Sequence, residues 1–127
     1  MDDHGIPVRV LDIAWNRSDY EYYRYIFAEY SREIREADGV FASDMGAIAL
    51  YHFASDLGIR IPEDLKIVAY DGTDFTRMMK PAITSVCQNI GLLAQRCVDT
   101  MMKLIRGEED VEDRQIVDVY FQKGGTA

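Results

Sequence analysis

Residues Asp38 to Gly72 read DGVFASDMGAIALYHFASDLGIRIPEDLKIVAYDG, and the order of patterns within them decides the fold. Ala37 to Ala42 is a short run with the character of a buried strand. Ser43 or Asp44 then offers the oxygen that caps a helix, whose inner stripe is Ala47, Leu50, Tyr51, Ala54 and Leu57. Gly58 suits the left-handed position that closes such a helix. After the turn Ile61-Pro62-Glu63-Asp64, Leu65 to Tyr70 forms a second strand that stops at Asp71-Gly72. Strand, helix, strand in this rhythm implies a right-handed crossover between parallel neighbours.

Working outward, the same rhythm continues in both directions. Val8 to Ala14 reads as an earlier strand, entered through Gly5 and Pro7. Ser18-Asp19-Tyr20-Glu21 matches a capping box for a long helix that buries Tyr23, Ile26, Phe27, Tyr30 and Ile34. Tyr20, Tyr22 and Tyr25 lie off that stripe and suggest a further packing surface. Downstream, Pro81 precedes a strand from Ala82 to Cys87. A helix from about Gly91 to Arg106 presents Leu93, Ala94, Cys97, Val98, Met101, Leu104 and Ile105 on one side and stops at Gly107. Glu108 to Asp113 is an acidic turn, Gln115 to Gln122 a last strand, and Lys123 to Ala127 a frayed tail. The whole reads as an α/β chain, a three-layer Rossmann-like lobe with a mainly parallel sheet. The helices starting near Asp19 and Asp44 are expected to claim its two faces. Ligands of such sheets sit beyond the carboxyl ends of the strands, which selects Trp15 with Asn16 and Arg17, Ser43 with Asp44, and Asp71 with Gly72, Thr73 and Asp74.

Composition narrows the function. With 127 residues and a net charge of −8 the chain is one domain whose own partner is not nucleic acid, because phosphate contacts need clustered Lys and Arg. Apolar runs are broken every few residues by charge, so no segment is expected to span a membrane. Cys87 and Cys97 are expected as reduced thiols, and His4 and His52 stand too far apart in sequence to build a metal cluster, so neither metal nor cofactor is expected. The acidic start at Asp2 and Asp3 lacks the basic, apolar plan of an export signal, which points to the cytoplasm or to a true beginning that is absent.

The linked motifs resemble the lactose-repressor family of bacterial transcription regulators. Ser43-Asp44 stands where that family usually has Asn-Asp, Ile61-Pro62-Glu63-Asp64 at its Pro-Glu-Asp turn, and Tyr70-Asp71-Gly72 at its aromatic-Asp-Asp or aromatic-Asp-Gly strand end. Lys80-Pro81-Ala82-Ile83-Thr84-Ser85-Val86-Cys87-Gln88 is similar to the family's crossing segment, and Trp15 falls where the family places an aromatic residue before a helix. The resemblance implies a periplasmic-binding-protein-like core of two lobes behind a DNA-binding helix-turn-helix. Residues 1–127 would be a truncated C-terminal part of the effector-binding and dimerisation domain, without the first lobe and the DNA-binding domain. The expected function is effector sensing: a small polar molecule, a sugar or related metabolite, shifts the balance between two lobe arrangements and so alters operator binding through the absent N-terminal domain. A solute-binding protein of a transport system shares the fold. An enzyme using Asp44, Asp71 and Asp74 as a receiver-like magnesium site fits less well, since Lys66 lies at the wrong end of its strand; no catalytic residue is assigned.

Each candidate site residue has a plainer alternative. Trp15, with Asn16 beside it, is either a ligand wall or a core or edge aromatic. Asp71 either caps its turn or, as the matching family position implies, accepts a hydrogen bond from a ligand hydroxyl or ring N–H. Ser43 has a shorter reach than the family's Asn, and Asp44 reads first as a helix cap and second as a ligand contact. The resemblance also implies a homodimer through Ile48, Tyr51, His52 and Ser55 with Phe75, Met78 and Met79. It further implies that the Gly91 to Arg106 helix packs on strands lying outside this chain. Bare here, its stripe would fold back on its own sheet or, as favoured by two occupied sheet faces, pack on a neighbouring chain.

Overall fold

The computed structural model describes residues 5–13 and 19–127. In chain order the elements are α1 (Tyr20–Glu29), α2 (Ser31–Glu36), β1 (Gly39–Ser43), α3 (Asp44–Asp56), β2 (Lys66–Asp71), α4 (Asp74–Met78), β3 (Thr84–Cys87), α5 (Ile90–Ile105) and β4 (Tyr120–Gln122). They form a mixed α/β chain whose open sheet is ordered β1-β2-β3-β4. The first two pairings are parallel and only β4 is antiparallel, as the strand–helix rhythm requires.

The core forms where the stripes meet. Ala47, Leu50, Phe53 and Ala54 of α3 close over Ile67 and Ala69 of β2 and over Ile83, while Tyr23, Phe27 and Ile34 seal the same cluster from α1 and α2. Phe27 and Phe53 touch ring to ring at 6.1 Å, tilted by 44°. The long helix expected from Ser18 starts one residue later: Asp19 is its cap, accepting the Tyr22 N–H at 2.9 Å. Ser18 itself lies outside the described residues. The helix breaks at Tyr30 and resumes as α2, so Ile34 still reaches the core.

Several expectations need correction. Residues 8–13 form no strand; Val8 and Val10 are exposed, because β propensity is realised only when a neighbouring strand completes the ladder. Ala14 falls outside the described residues. The strand β1 is buried on one face only. Val40 and Ala42 pack toward α3, whereas Phe41, 63% exposed, turns to the opposite face and meets Tyr70 of β2 at 6.1 Å. The two large helices therefore do not take one face each: α3 lies on β1 and β2 and α1 packs beside α3.

The expected frayed tail is instead built in. Thr126 is fully buried, its hydroxyl accepting the Thr84 N–H at 2.9 Å and donating to the Ile67 carbonyl at 2.7 Å. Gly125 N–H donates to the Ala82 carbonyl at 2.7 Å. The last strand is only Tyr120–Gln122, since the residues before it turn their polar groups to α5: Gln115 donates to Thr100 Oγ1, and the Ile116 carbonyl accepts from Arg96. The inward stripe expected of α5 faces no core. Every α5 residue except the half-buried Thr100 is exposed, including Leu93, Ala94, Cys97, Val98, Met101, Leu104 and Ile105.

Candidate functional site

Three parallel strands bring their carboxyl ends to one edge of the sheet, and the polar residues at those ends form a connected network. Ser43 closes β1 and caps α3, its Oγ accepting the Gly46 N–H at 3.4 Å. The same Oγ lies 3.2 Å from the Tyr23 hydroxyl of α1. Asp44, the next residue, is not the cap. Its buried carboxylate crosses to the end of β2, where it accepts the Gly72 N–H at 3.2 Å and both the backbone N–H and the hydroxyl of Thr73 at 2.6 Å. A buried anion with three such donors is held as a brace between strand ends.

Asp71 sits at the centre of that edge. Its backbone has φ +117 and that of Gly72 φ +74, two successive left-handed residues that turn the chain sharply away from β2. Only glycine fits at position 72, because a Cβ there would lie 2.2 Å from the Cys87 sulfur of β3. The turn leaves the Asp71 carboxylate half-buried, accepting the Gln88 side-chain N–H at 2.6 Å, while Gln88 N–H donates to the Asp71 carbonyl at 3.0 Å. Arg77 of α4 reaches back to the Gly72 carbonyl at 3.2 Å and pairs with Asp74, which raises the pKa of the guanidinium. Asp74 is thus committed to an arginine. Among the described residues no group of three or more His, Cys, Asp or Glu side chains could hold a metal ion.

Ser43, Asp44 and Asp71 are therefore brought together, with Asp44 as scaffold and the Ser43 and Asp71 side chains nearer the open edge. Trp15 and Asn16 lie outside the described residues. Two participants were not picked out from the sequence. Tyr23 reads there only as core, and its hydroxyl carries no sequence signal. Gln88 stands in the crossing segment, but nothing local shows that it meets Asp71, seventeen positions earlier.

The residues expected at a twofold interface lie on the side formed by α3 and α4. Phe75 and Met78 are largely exposed, as are His52 and Ser55, while Ile48, Tyr51 and Met79 are half-buried against the core. His52 is flanked edge-on by Tyr51 at 5.7 Å and by Tyr20 at 6.1 Å. Tyr20 thus packs within the chain, whereas Tyr25 stays exposed with its hydroxyl on Glu29. No described helix is long and apolar enough to cross a membrane, and both cysteines are free, Cys87 buried and Cys97 exposed. An apolar groove of about 380 Å³ runs between α5 and residues 112–117, away from the strand ends.

Known proteins similar to this chain share its fold. A family described as periplasmic binding protein-like domain matches residues 1–124. The sucrose operon repressor of Streptococcus mutans is 40% identical over 77 residues, 60% of this chain and 24% of that protein. Among solved structures, a transcriptional regulator CelR in complex with cellobiose superposes with a TM-score of 0.77 at 25% identity, over 85% of this chain and 33% of that one. A LacI family transcriptional regulator from Enterococcus faecium with bound ribose gives 0.74 at 30% identity, over 84% and 40%. The chain spans about a quarter of the curated relative, and these relatives are named as regulators rather than enzymes.

Proposed function

The chain belongs to the periplasmic binding protein-like domain family, in its lactose-repressor group, and we propose that it is the effector-sensing part of a bacterial transcription regulator. The effector is a small polar molecule of the sugar class, held at the carboxyl edge of β1, β2 and β3. One observation carries this reading: Asp71 stands on a left-handed turn with its carboxylate half-exposed and squared by Gln88, beside an exposed Ser43 at the next strand end. A carboxylate held in this way accepts hydrogen bonds from ligand hydroxyls strongly, and a network already made needs no ordering on binding.

Operator DNA is bound by a segment other than this one, since the chain carries a net charge of −8. The protein works in the cytoplasm as a homodimer joined through Ile48, Tyr51, His52, Ser55, Phe75, Met78 and Met79; exposed Met and aromatic side chains are enriched at interface centres. Trp15, the single tryptophan, supplies the reporter. In fluorescence titration, a sugar such as D-ribose changes Trp15 emission in the native chain and does so at least tenfold more weakly in Asp71→Ala. Equal response of the two proteins overturns the assignment.

A further inference from the structure

We infer that Thr73 is a positioning residue of the effector site: bonded twice to the Asp44 carboxylate, it holds the left-handed turn that aims the Asp71 side chain. The inference rests on the effector-site reading above and names the residue that keeps that site in shape.

Asp71 does not sit in a basin that an L-residue takes unaided. The left-handed region open to such a residue is small and centred at about φ +60. Asp71, at φ +117, lies well beyond it. A conformation of this kind lasts only where surrounding bonds impose it. Here they come from three directions. The Gln88 N–H fixes the Asp71 carbonyl from the end of β3, and Arg77 fixes the Gly72 carbonyl from α4. Asp44 takes the donors that follow, the Gly72 N–H at 3.2 Å and the Thr73 N–H and hydroxyl at 2.6 Å each.

Thr73 stands at the N-cap of α4, where a threonine oxygen ordinarily accepts an N–H of the first helical turn. It makes no such bond. Its hydroxyl donates backward to Asp44 instead, so α4 starts without a side-chain cap while the turn before it gains a charge-assisted hydrogen bond. The acceptor is a fixed point, since Asp44 is buried at the start of α3 beside the core. Thr73 itself is exposed, and a change of its side chain disturbs no core packing. The hydroxyl is therefore a bond that can be removed or restored alone, with the carboxylates of Asp44 and Asp71 left in place.

The test is NMR of this chain and its variants titrated with D-ribose. Two signals are followed: the Gly72 amide shift, and the Asp71 coupling between amide and α protons, which is small at φ +117 and large in extended backbone. Thr73→Val, which keeps the shape and loses the hydroxyl, is expected to raise the Asp71 coupling and to weaken D-ribose binding about tenfold, the effect of losing one hydrogen bond to a charged group. Thr73→Ser, which restores the hydroxyl, keeps the native coupling and holds the affinity within about twofold. Thr126→Val removes a hydroxyl at the amino ends of β2 and β3 and leaves coupling and affinity unchanged, which separates positioning from a general loss of stability. Native affinity or native coupling in Thr73→Val overturns the role of Thr73 and leaves the effector site standing, as does an equal loss of affinity in Thr73→Ser or Thr126→Val. A native chain whose Gly72 amide does not respond to D-ribose overturns the effector site and this inference together.

Discussion

At the scale of single residues, Asp44 shows how a local reading can name the right residue and the wrong task. The sequence offers Ser43 and Asp44 as competing helix caps; the structure gives the cap to Ser43 and sends Asp44 across to β2. Three donors on a buried carboxylate predict that Asp44→Ala costs about 3 kcal/mol or more in urea unfolding, since the amides of Gly72 and Thr73 lose their acceptor. A loss under 1 kcal/mol would show that the brace is dispensable. On the exposed side, Asp64 is held at about 2 by hydrogen bonds from the Arg60 side chain and backbone. A carboxyl lowered in the folded state contributes stability above its ordinary value near 3.8 and loses it as pH falls through about 2. Arg60→Ala should move the Asp64 midpoint, read by carboxyl carbon NMR, up toward the ordinary range. An unmoved midpoint would exclude Arg60 as the cause.

Elements were legible where their partners lie close in sequence. The α3 stripe and the two strands around it follow from periodicity over residues 38–72, and all three form. Partners distant in sequence left no local trace. Val8 to Ile13 has the residues of a strand without a ladder, and the tail after Lys123, reading as polar and loose, is drawn into the sheet by the Thr126 hydroxyl. Replacing that hydroxyl by a methyl group leaves a buried Thr84 N–H and an Ile67 carbonyl without it. Thr126→Val is therefore expected to cost about 1 to 3 kcal/mol in chemical denaturation, and Thr126→Ser much less. A Val variant more stable than the Ser variant would mean that the methyl, not the hydroxyl, fastens the tail.

At the scale of the whole molecule, the apolar surface is divided between one closed core and one open stripe. Leu50, Leu65, Ile67 and Ile83 are essentially sealed, while Val98 is 60% and Ile105 71% exposed along α5. Each such side chain forgoes roughly 1.5 to 3 kcal/mol until something covers it. The chain should therefore bind a hydrophobic dye while folded. Val98→Asp should lower that dye fluorescence severalfold and leave the midpoint of chemical unfolding within about 0.5 kcal/mol of native, because the residue supports no core. A strongly destabilised Val98→Asp would mean that α5 is packed in solution, on its own sheet or on a neighbour.

The sequence by itself determined the periods, the caps and the strand ends: it marked the parallel α/β plan, the Gly58 stop, and Ser43 and Asp71 as residues of one edge. These are legible because a helix stripe, a glycine stop and a β-rich run act over a few neighbouring residues. Tertiary structure alone decided that Asp44 braces Gly72 and Thr73, that Tyr23 reaches Ser43, that Gln88 squares Asp71 and that Thr126 closes the sheet. It also packed α1 beside α3 and left α5 bare. Each of these contacts joins positions 17 to 59 residues apart, and a hydrogen bond between such positions depends on where folding brings the two groups rather than on the residues beside them.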